Sequence, residues 1–536
     1  MITNTTHPNP DNSPMAKFFK IFFSLLGIIL VRILLENFSS PHASGNFTSL
    51  ATTFIHYPFL YLSVLFGIIL IIWALTKKPI LDLLDLGVKV LPIIWLAPII
   101  DLIFFGPGNT QMSYLFNSPG ELLKNFFSFF GPISQQHLTL GIRIEILVLL
   151  IGILVFVYKH TKKLSKVILA GVFSYLMVFF IDAFPSLLLL ANRRGFQYQN
   201  IQDFFANIFN FSWLNTVPLV FKIDPAFKFE EQFNILISSC FFLIILFELF
   251  ILFAVINRKV WLAWLKNFRW ERTLYYFGFG ILGLGISAKS FPALNFSNFQ
   301  NIVSLMIFFI LIALSFALAV IVNDVEDINI DTVSNHSRPL ITGVLSMPTT
   351  KLVGIVILLL ILYGALLLPY NLFIFFLLFQ ISFFLYSVPP LKLKRHFLSS
   401  SISQAFNALL MTLSGFFLLA PDQKLLAFPS KYLWLILIGI FIFSNIKDFK
   451  DYAGDKLADI KTLPVVFGLE KSKLILSAAS LIFLIIMPII LKNNSLLIIS
   501  IATAGLVWYF LNRKIYKEIY LFLVFFVYLG VFTFLV

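Results

Sequence analysis

The sequence predicts an all-α fold, a polytopic transmembrane helical bundle in which nine C-terminal spans follow about six others. Three observations predict it. Hydrophobic residues make up 59% of the 536 and charged residues only 12%, about half the charge of a soluble domain. The apolar runs are about 20 residues long, the length of a membrane helix rather than of the short alternating strands of a barrel. Finally, Lys and Arg gather beside the runs and on alternate sides of them.

The first run, Phe18 to Leu35, is introduced by Lys17 and Lys20 and is followed by no small-residue cleavage site, so it reads as a retained span. Further spans are expected near 54–76, 88–106, 143–158, 167–191 and 234–256. The aromatic-rich connections 107–139 and 193–232 are long enough for interfacial helices or a cap. Asp101 and Asp182 lie in or near spans and read as helix-packing polar groups. The basic stretch 258–272, with Trp261, Trp264 and Trp270, reads as an interfacial linker of snorkelling cations and headgroup-level indoles. It divides an N-terminal membrane domain (1–257) from a C-terminal one (273–536). The nine spans expected there are 273–291, 300–323, 351–368, 371–388, 399–420, 431–447, 473–491, 495–512 and 518–535.

Charge and cysteine content exclude other classes. The formal net charge of +14 comes from cations beside spans, which suits orientation and anionic headgroups, not nucleic acid. Cys240, the single cysteine, lies in an apolar run, so neither an internal disulfide nor a thiolate metal site is available. With the N-terminus inside, Lys77-Lys78, Lys159 to Lys163, Arg258 to Arg272, Lys392 to Arg395 and Arg513 to Lys517 all fall inside. Arg193-Arg194, Lys222 and Lys228 are the exceptions. The expected location is the cell membrane, multi-pass, with a cytoplasmic N-terminus.

Two acidic stretches organise the second half. The run Asn323-Asp324-Val325-Glu326-Asp327-Ile328-Asn329-Ile330-Asp331 follows an apolar span, and Asp448-Phe449-Lys450-Asp451-Tyr452-Ala453-Gly454-Asp455 follows another. On helices, Asn323, Asp327 and Asp331 share a face, as do Asp448, Asp451 and Asp455. An Asp at the centre of a bilayer helix costs about 2.5–3.5 kcal/mol, which rules against lipid-facing positions. Orientation puts both clusters on the cytoplasmic side. Oxygen ligands in this number suit Mg²⁺, whose coordination shell phosphate oxygens commonly complete. Cations suited to phosphate stand nearby: Arg338, then Lys392, Lys394 and Arg395, then Lys447 beside the second cluster. Gly343 and Gly454 read as turn or helix-end residues.

These residues resemble the motifs of the UbiA-type intramembrane prenyltransferases. The 323–331 stretch is similar to that family's Asn-Asp-x-x-Asp-x-x-x-Asp, and Arg338-Pro339-Leu340-Ile341-Thr342-Gly343 to its continuation. Tyr386-Ser387-Val388-Pro389-Pro390 through Lys394-Arg395 resembles its Tyr-Ser-x-Pro-Pro segment. Lys447 to Asp455 with Lys461-Thr462-Leu463-Pro464 resembles its second Asp motif. The resemblance covers about 270–536 and departs at Asp459, where glycine is common. It implies a helical bundle around a cavity that binds a polyprenyl diphosphate through Mg²⁺. Asn323, Asp327 and Asp331 would hold one ion and Asp451 and Asp455 another, with Asp324 and Asp448 in support. Asp327, Asp331, Asp451 and Asp455 would be the catalytic carboxylates. Arg338, Lys392, Arg395 and Lys447 would grip the diphosphate. The acceptor is a membrane-soluble aromatic ring or a glycerol-type lipid hydroxyl. The N-terminal half resembles no family, and its protein partners are unknown. The rival class is a cation-coupled transporter, which expects its acidic groups near the bilayer midplane on broken helices.

The orientation is tested by cysteine labelling. Thr332→Cys and Lys456→Cys are expected to react only from the cytoplasmic side and Gln423→Cys only from the opposite one. Reversal of all three would invert the orientation, and scrambled labelling would break the span count.

Overall fold

The structure is a computed structural model that describes residues 14–39, 47–106, 118–131, 138–184, 187, 228–291, 299–334, 336, 338–421, 423–457, 459–513 and 516–535. Most of the exception loop 193–232 lies outside these. Fourteen helical segments among the described residues are long and apolar enough to cross a membrane. Among those residues the only β pairing is an isolated bridge between His396 and Lys461. The chain forms two compact units, Met1–Leu262 and Ala263–Val536.

The first unit holds α1 (Pro14–Ser39), α2 (Phe47–Thr76), α3 (Ile80–Val90), α4 (Leu96–Phe105), α5 (Pro119–Phe127), α6 (Leu140–Thr161), α7 (Leu164–Asp182) and α8 (Lys228–Ile256). The third span begins earlier than expected. Asp82 and Asp85 interrupt the apolar run, but Lys17 and Lys89 pair with them, so the helix starts at Ile80 and passes through a 3₁₀ turn at Leu91–Trp95. The fifth ends earlier, at Asp182, and most of 185–191 lies outside the described residues. In the 107–139 connection α5 starts at Ser118, whose hydroxyl accepts from Glu121 N at 3.1 Å, a helix cap that satisfies an otherwise orphan amide. Buried Asp101 accepts from Gly141 N at 2.8 Å, which binds α4 to the start of α6.

The second unit is built on α10 (Trp270–Ser290), which follows the short α9 (Arg258–Asn267), and continues with α11 (Phe299–Glu326), α12 (Ile328–Ser334), α13 (Met347–Leu366), α14 (Tyr370–Ser387) and α15 (Phe397–Leu419). Then come α16 (Ser430–Phe443), α17 (Asp448–Leu457), α18 (Leu463–Phe467), α19 (Leu469–Leu491), α20 (Asn494–Leu511) and α21 (Glu518–Leu535). Eight of the fourteen spanning segments belong here; α10, expected as a ninth, is 21 residues long but is not among them.

The most buried helix is α15, and its small polar side chains explain how. Lipid tails are as apolar as leucine, so helices in a bilayer associate through close backbone approach and polar contacts rather than through the hydrophobic effect. A Cβ at Gly283 of α10 would lie 1.9 Å from Thr412 O of α15, and one at Gly415 of α15 would lie 2.1 Å from Gly280 O. Tyr276 Oη donates to Gln404 Oε1 at 3.0 Å across the same contact, and Ser382 and Ser403 pair at 3.2 Å between α14 and α15. At the other extreme α21 is only 17% buried over its apolar window.

Gly283→Ala should therefore lower stability by about 1–3 kcal/mol, the usual range for overpacking against backbone. Gly505→Ala, whose Cβ meets nothing within 4 Å, should be neutral. Thermal unfolding in detergent compares them, and equal melting points would refute the packing account.

Candidate active site

A cavity of about 890 Å³ opens in the second unit. Asn323, Asp327, Asp331, Arg338, Lys447, Asp448, Asp451 and Asp455 all line it, whereas Asp324, Lys392 and Arg395 do not. Lys394, Arg269, Arg272 and Lys450 join the lining from outside the expected set.

The first acidic stretch is not one continuous helix. A turn at Asp327 separates α11 from α12. Helical hydrogen bonds nevertheless cross it, from Asp327 N to Asn323 O (2.9 Å) and from Asp331 N to Asp327 O (2.8 Å). The four-residue spacing is thereby preserved, and all three side chains reach the cavity. In the second stretch a 3₁₀ segment, Ser444–Lys447, links α16 to α17, which carries Asp448, Asp451 and Asp455. Gly454, expected at a helix end, lies inside α17 and lines the cavity between two of these aspartates. Gly343 does adopt a left-handed conformation, at φ 73°.

The carboxylates are tied to cations from several segments. Lys394 Nζ donates to Asn323 Oδ1 at 2.9 Å and to Asp327 Oδ2. Lys392 Nζ stands 3.6 Å from Asp327 Oδ1. Lys392 itself has φ 38°, a left-handed conformation unusual for lysine, and it turns the Pro389-Pro390 loop so that two ammonium groups meet Asp327. Burial pulls the Lys394 ammonium below the ordinary lysine range, and Asp327 partly offsets the shift.

Asp324 is 3% exposed and serves a different purpose. Its Oδ1 accepts from Arg269 Nη2 at 2.7 Å and Arg338 Nη1 at 2.8 Å, and its Oδ2 from Asn267 Nδ2 at 2.8 Å. Arg338 also donates to Asp331. Burial lowers the Arg269 pKa from its ordinary value, and Asp324 pulls it back up. Lys447 Nζ donates to Tyr386 Oη at 3.1 Å. Arg395 is exposed, and its carbonyl accepts from Lys461 N at 2.8 Å, which stitches this loop to the segment after α17. Asp459 sits at φ 52°, a conformation that glycine adopts freely and Asp tolerates, so the departure there leaves the turn intact.

Sequence reasoning passed over Arg269 and Arg272, because cations beside tryptophans at a span end look like headgroup anchors. The signal available was their position at the start of α10, Arg269 just before it and Arg272 in its first turn, since that helix's Tyr and Gly content marks it as packed rather than lipid-facing. Lys394 stood in view with its neighbours, but nothing in a loop sequence says which of three cations turns inward.

Among the described residues no three His, Cys, Asp or Glu side chains converge on one point. The donor set is nevertheless all oxygen, which suits a hard divalent ion, and Asp327 Oδ1 is a buried oxygen that accepts no hydrogen bond. Asn323, Asp327, Asp451 and Asp455 are therefore fit to hold magnesium, with further oxygens supplied by a ligand.

Below this charged end the cavity is apolar, lined by Phe279, Phe316, Leu435, Ile440 and Phe525 among others. Glu518 and Phe532, fourteen residues apart on α21, both line it, so it runs about 21 Å along the helix.

Removing Asp324 should destabilise the protein, because it takes the paired carboxylate from Arg269 and leaves Arg338 with Asp331 alone. Asp324→Leu is expected to cost about 2–4 kcal/mol, somewhat below a fully buried pair since both arginines keep some solvent. Exposed Asp451→Asn should cost under about 0.5 kcal/mol. The comparison is made by chemical denaturation, and parity between the two would remove Asp324 as an anchor.

Residues 278–529 match the UbiA prenyltransferase family. No family match covers the N-terminal half. The chain is similar in fold to a UbiA homolog from Archaeoglobus fulgidus bound to DMAPP and Mg²⁺, with 20% identity over 51% of this chain and 100% of that one and a TM-score of 0.40. It is also similar to a structure of digeranylgeranylglyceryl phosphate synthase in membranes, with 21% identity over 52% and 99% of the two chains and a TM-score of 0.39. A third likeness is to an apo UbiA homolog from Aeropyrum pernix K1, with 17% identity over 49% and 96% and a TM-score of 0.37. No curated protein matches the sequence.

Proposed function

We propose, from the UbiA prenyltransferase family domain that residues 278–529 form, that this protein is an integral membrane prenyltransferase. In this reading it moves an isoprenoid chain from a polyprenyl diphosphate to an aromatic or lipid acceptor. The observation that carries the reading is the union, in one cavity, of two aspartate clusters, phosphate-suited cations and a long apolar chamber. A cation-coupled transporter needs the carboxylates but not the chamber.

The chain's own residues divide the work. Asn323, Asp327 and Asp331 would hold one magnesium ion and Asp451 and Asp455 a second. When bound, magnesium supplies positive charge against the departing diphosphate. Arg338, Lys394 and Lys447 would meet the phosphate oxygens, with Lys392 and Arg395 holding the loop behind them. Asp324 fixes Arg338 in place, and Asp448 lies buried beside Lys447 at the start of α17. The apolar wall keeps water from the allylic cation that forms as the carbon–oxygen bond breaks and diphosphate departs; the acceptor's nucleophile then captures the cation and gives up its proton. The reading includes the division into an N-terminal domain (1–257), a linker (258–272) and the catalytic domain (273–536), with the Asp clusters cytoplasmic.

Asp327→Asn is the sharpest test. It preserves size and an oxygen ligand but removes a charge needed most in the transition state, so kcat should fall further than KM rises. A loss of at least about 10²-fold, or about 2.7 kcal/mol in the barrier, is expected for one preorganised electrostatic contact. Asp101→Asn keeps an oxygen for Gly141 N and should turn over normally. With labelled polyprenyl diphosphate and membrane extract as acceptor source, normal turnover by Asp327→Asn and loss in Asp101→Asn would place the chemistry in the wrong half.

A further inference from the structure

The charged end of the cavity has an assigned role in the reading above, but its opposite end does not. We propose that this far end is a floor that fixes the longest isoprenoid chain the site can enclose, with Tyr528 and Phe532 as the residues that set the limit. The inference rests on the prenyl diphosphate reading and concerns only where the tail stops.

Four residues from three helices meet there. Tyr432 stands near the start of α16, Met487 near the end of α19, and Tyr528 and Phe532 near the end of α21; all four line the cavity. Tyr432 and Phe532 are each 7% exposed and Met487 3%, and Tyr528 is half-buried. By contrast Asp451, at the other end, is exposed.

The floor is held in place by contacts from neighbouring helices, although little of α21 is buried. Tyr528 Oη pairs with Ser500 Oγ of α20 at 2.7 Å and lies 3.9 Å from Met487 Sδ of α19. Its ring stacks on Phe532 with centroids 6.4 Å apart and planes 30° from parallel. Just beyond, Asn493 Nδ2 donates to Leu535 O at 3.2 Å and fastens the end of α21 to the α19–α20 turn. A Cβ at Gly285 of α10 would come within 2.8 Å of Thr533 Cγ2, so α10 closes tightly on the last turn of α21. A hydroxyl in this apolar chamber needs a partner, and Ser500 provides it while fixing the direction of the ring.

Length selection here must come from exclusion rather than attraction. A prenyl tail leaves lipid, not water, to enter the cavity, so each added isoprene unit gains little from burial. Once the tail reaches the rings, the next unit must overpack a hydrogen-bonded wall. Affinity should accordingly be nearly flat with length up to a limit and then fall by at least about tenfold at the first homologue past it.

The test uses the purified full chain in nanodiscs with magnesium and a series of non-cleavable thiolodiphosphates, from geranyl through farnesyl and geranylgeranyl to longer polyprenyls, with binding read by calorimetry. The wild type should show the drop. Phe532→Ala and Tyr528→Ala should move it to a longer homologue, Phe532→Trp to a shorter one, and Tyr528→Phe, which keeps the ring, should leave it in place. Should one alanine variant fail to fold, the other and Phe532→Trp make the same measurement. Affinity that never falls along the series, or a drop that no folded variant moves, would overturn the floor. Failure of even the geranyl compound to bind would instead overturn the prenyl diphosphate reading itself.

Discussion

The first acidic stretch and the cations around it depend on one buried carboxylate. Asp324 is an anion within an apolar bundle, and such a group is tolerated only when its pairing is complete. Three donors complete it, from Asn267, Arg269 and Arg338, which come from the segment before α10 and the loop after α12. The carboxylate therefore joins the end of α11 to the segment before α10 and to the loop after α12. Arg338, once held, pairs with Asp331, so the first acidic stretch and the loop behind it become one unit. A neutral residue at 324 would leave Arg269 without its carboxylate and Arg338 held by Asp331 alone.

A cavity of this size in a membrane bundle requires that the other helices pack unusually well. The α10–α15 contact supplies that, through glycines at which backbone meets backbone and through the Tyr276–Gln404 bond. The dense seam lies beside the open chamber, and Tyr276 belongs to both, since its ring also lines the cavity. On α21 the contact is made by side chains over the α10 glycines, Leu529 at Gly278 and Thr533 at Gly285, and two latches add to it, Tyr528 to Ser500 and Asn493 to Leu535.

How much of this was legible in sequence depended on whether the signal was periodic. Span existence and the two Asp faces follow from spacing alone, and the helical bundle follows from the spans. The start of the third span did not, because Asp82 and Asp85 look like a boundary until Lys17 and Lys89 are seen to neutralise them. The turn at Asp327 was invisible for the opposite reason: hydrogen bonds continue through it, so the spacing survives a break in the helix. Among the cations, direction was the missing information. Lys392, Lys394 and Arg395 are equivalent as letters, yet the loop turns Lys394 inward, stands Lys392 against Asp327 from the side, and leaves Arg395 exposed. Arg269 was misread because a cation beside a tryptophan has two solutions, headgroup or carboxylate, and only the distant Asp324 decides between them.

The balance of charge around the cavity narrows what it can accept. Seven acidic and six basic side chains line it, a nearly neutral set. A metal ion alone would have to displace Lys394 from Asn323 and Asp327, since their oxygens already serve that ammonium. A polyanion alone would draw the same cations away and leave buried Asp331 and Asp448 without compensation, the situation that low dielectric penalises most. A polyanion arriving with divalent cations avoids both penalties, because each lysine or arginine exchanges a carboxylate for a phosphate oxygen while each carboxylate gains a metal. The near-neutrality of the lining thus favours a ligand that carries its own counter-ions, and the apolar chamber beneath asks that the same ligand end in hydrocarbon.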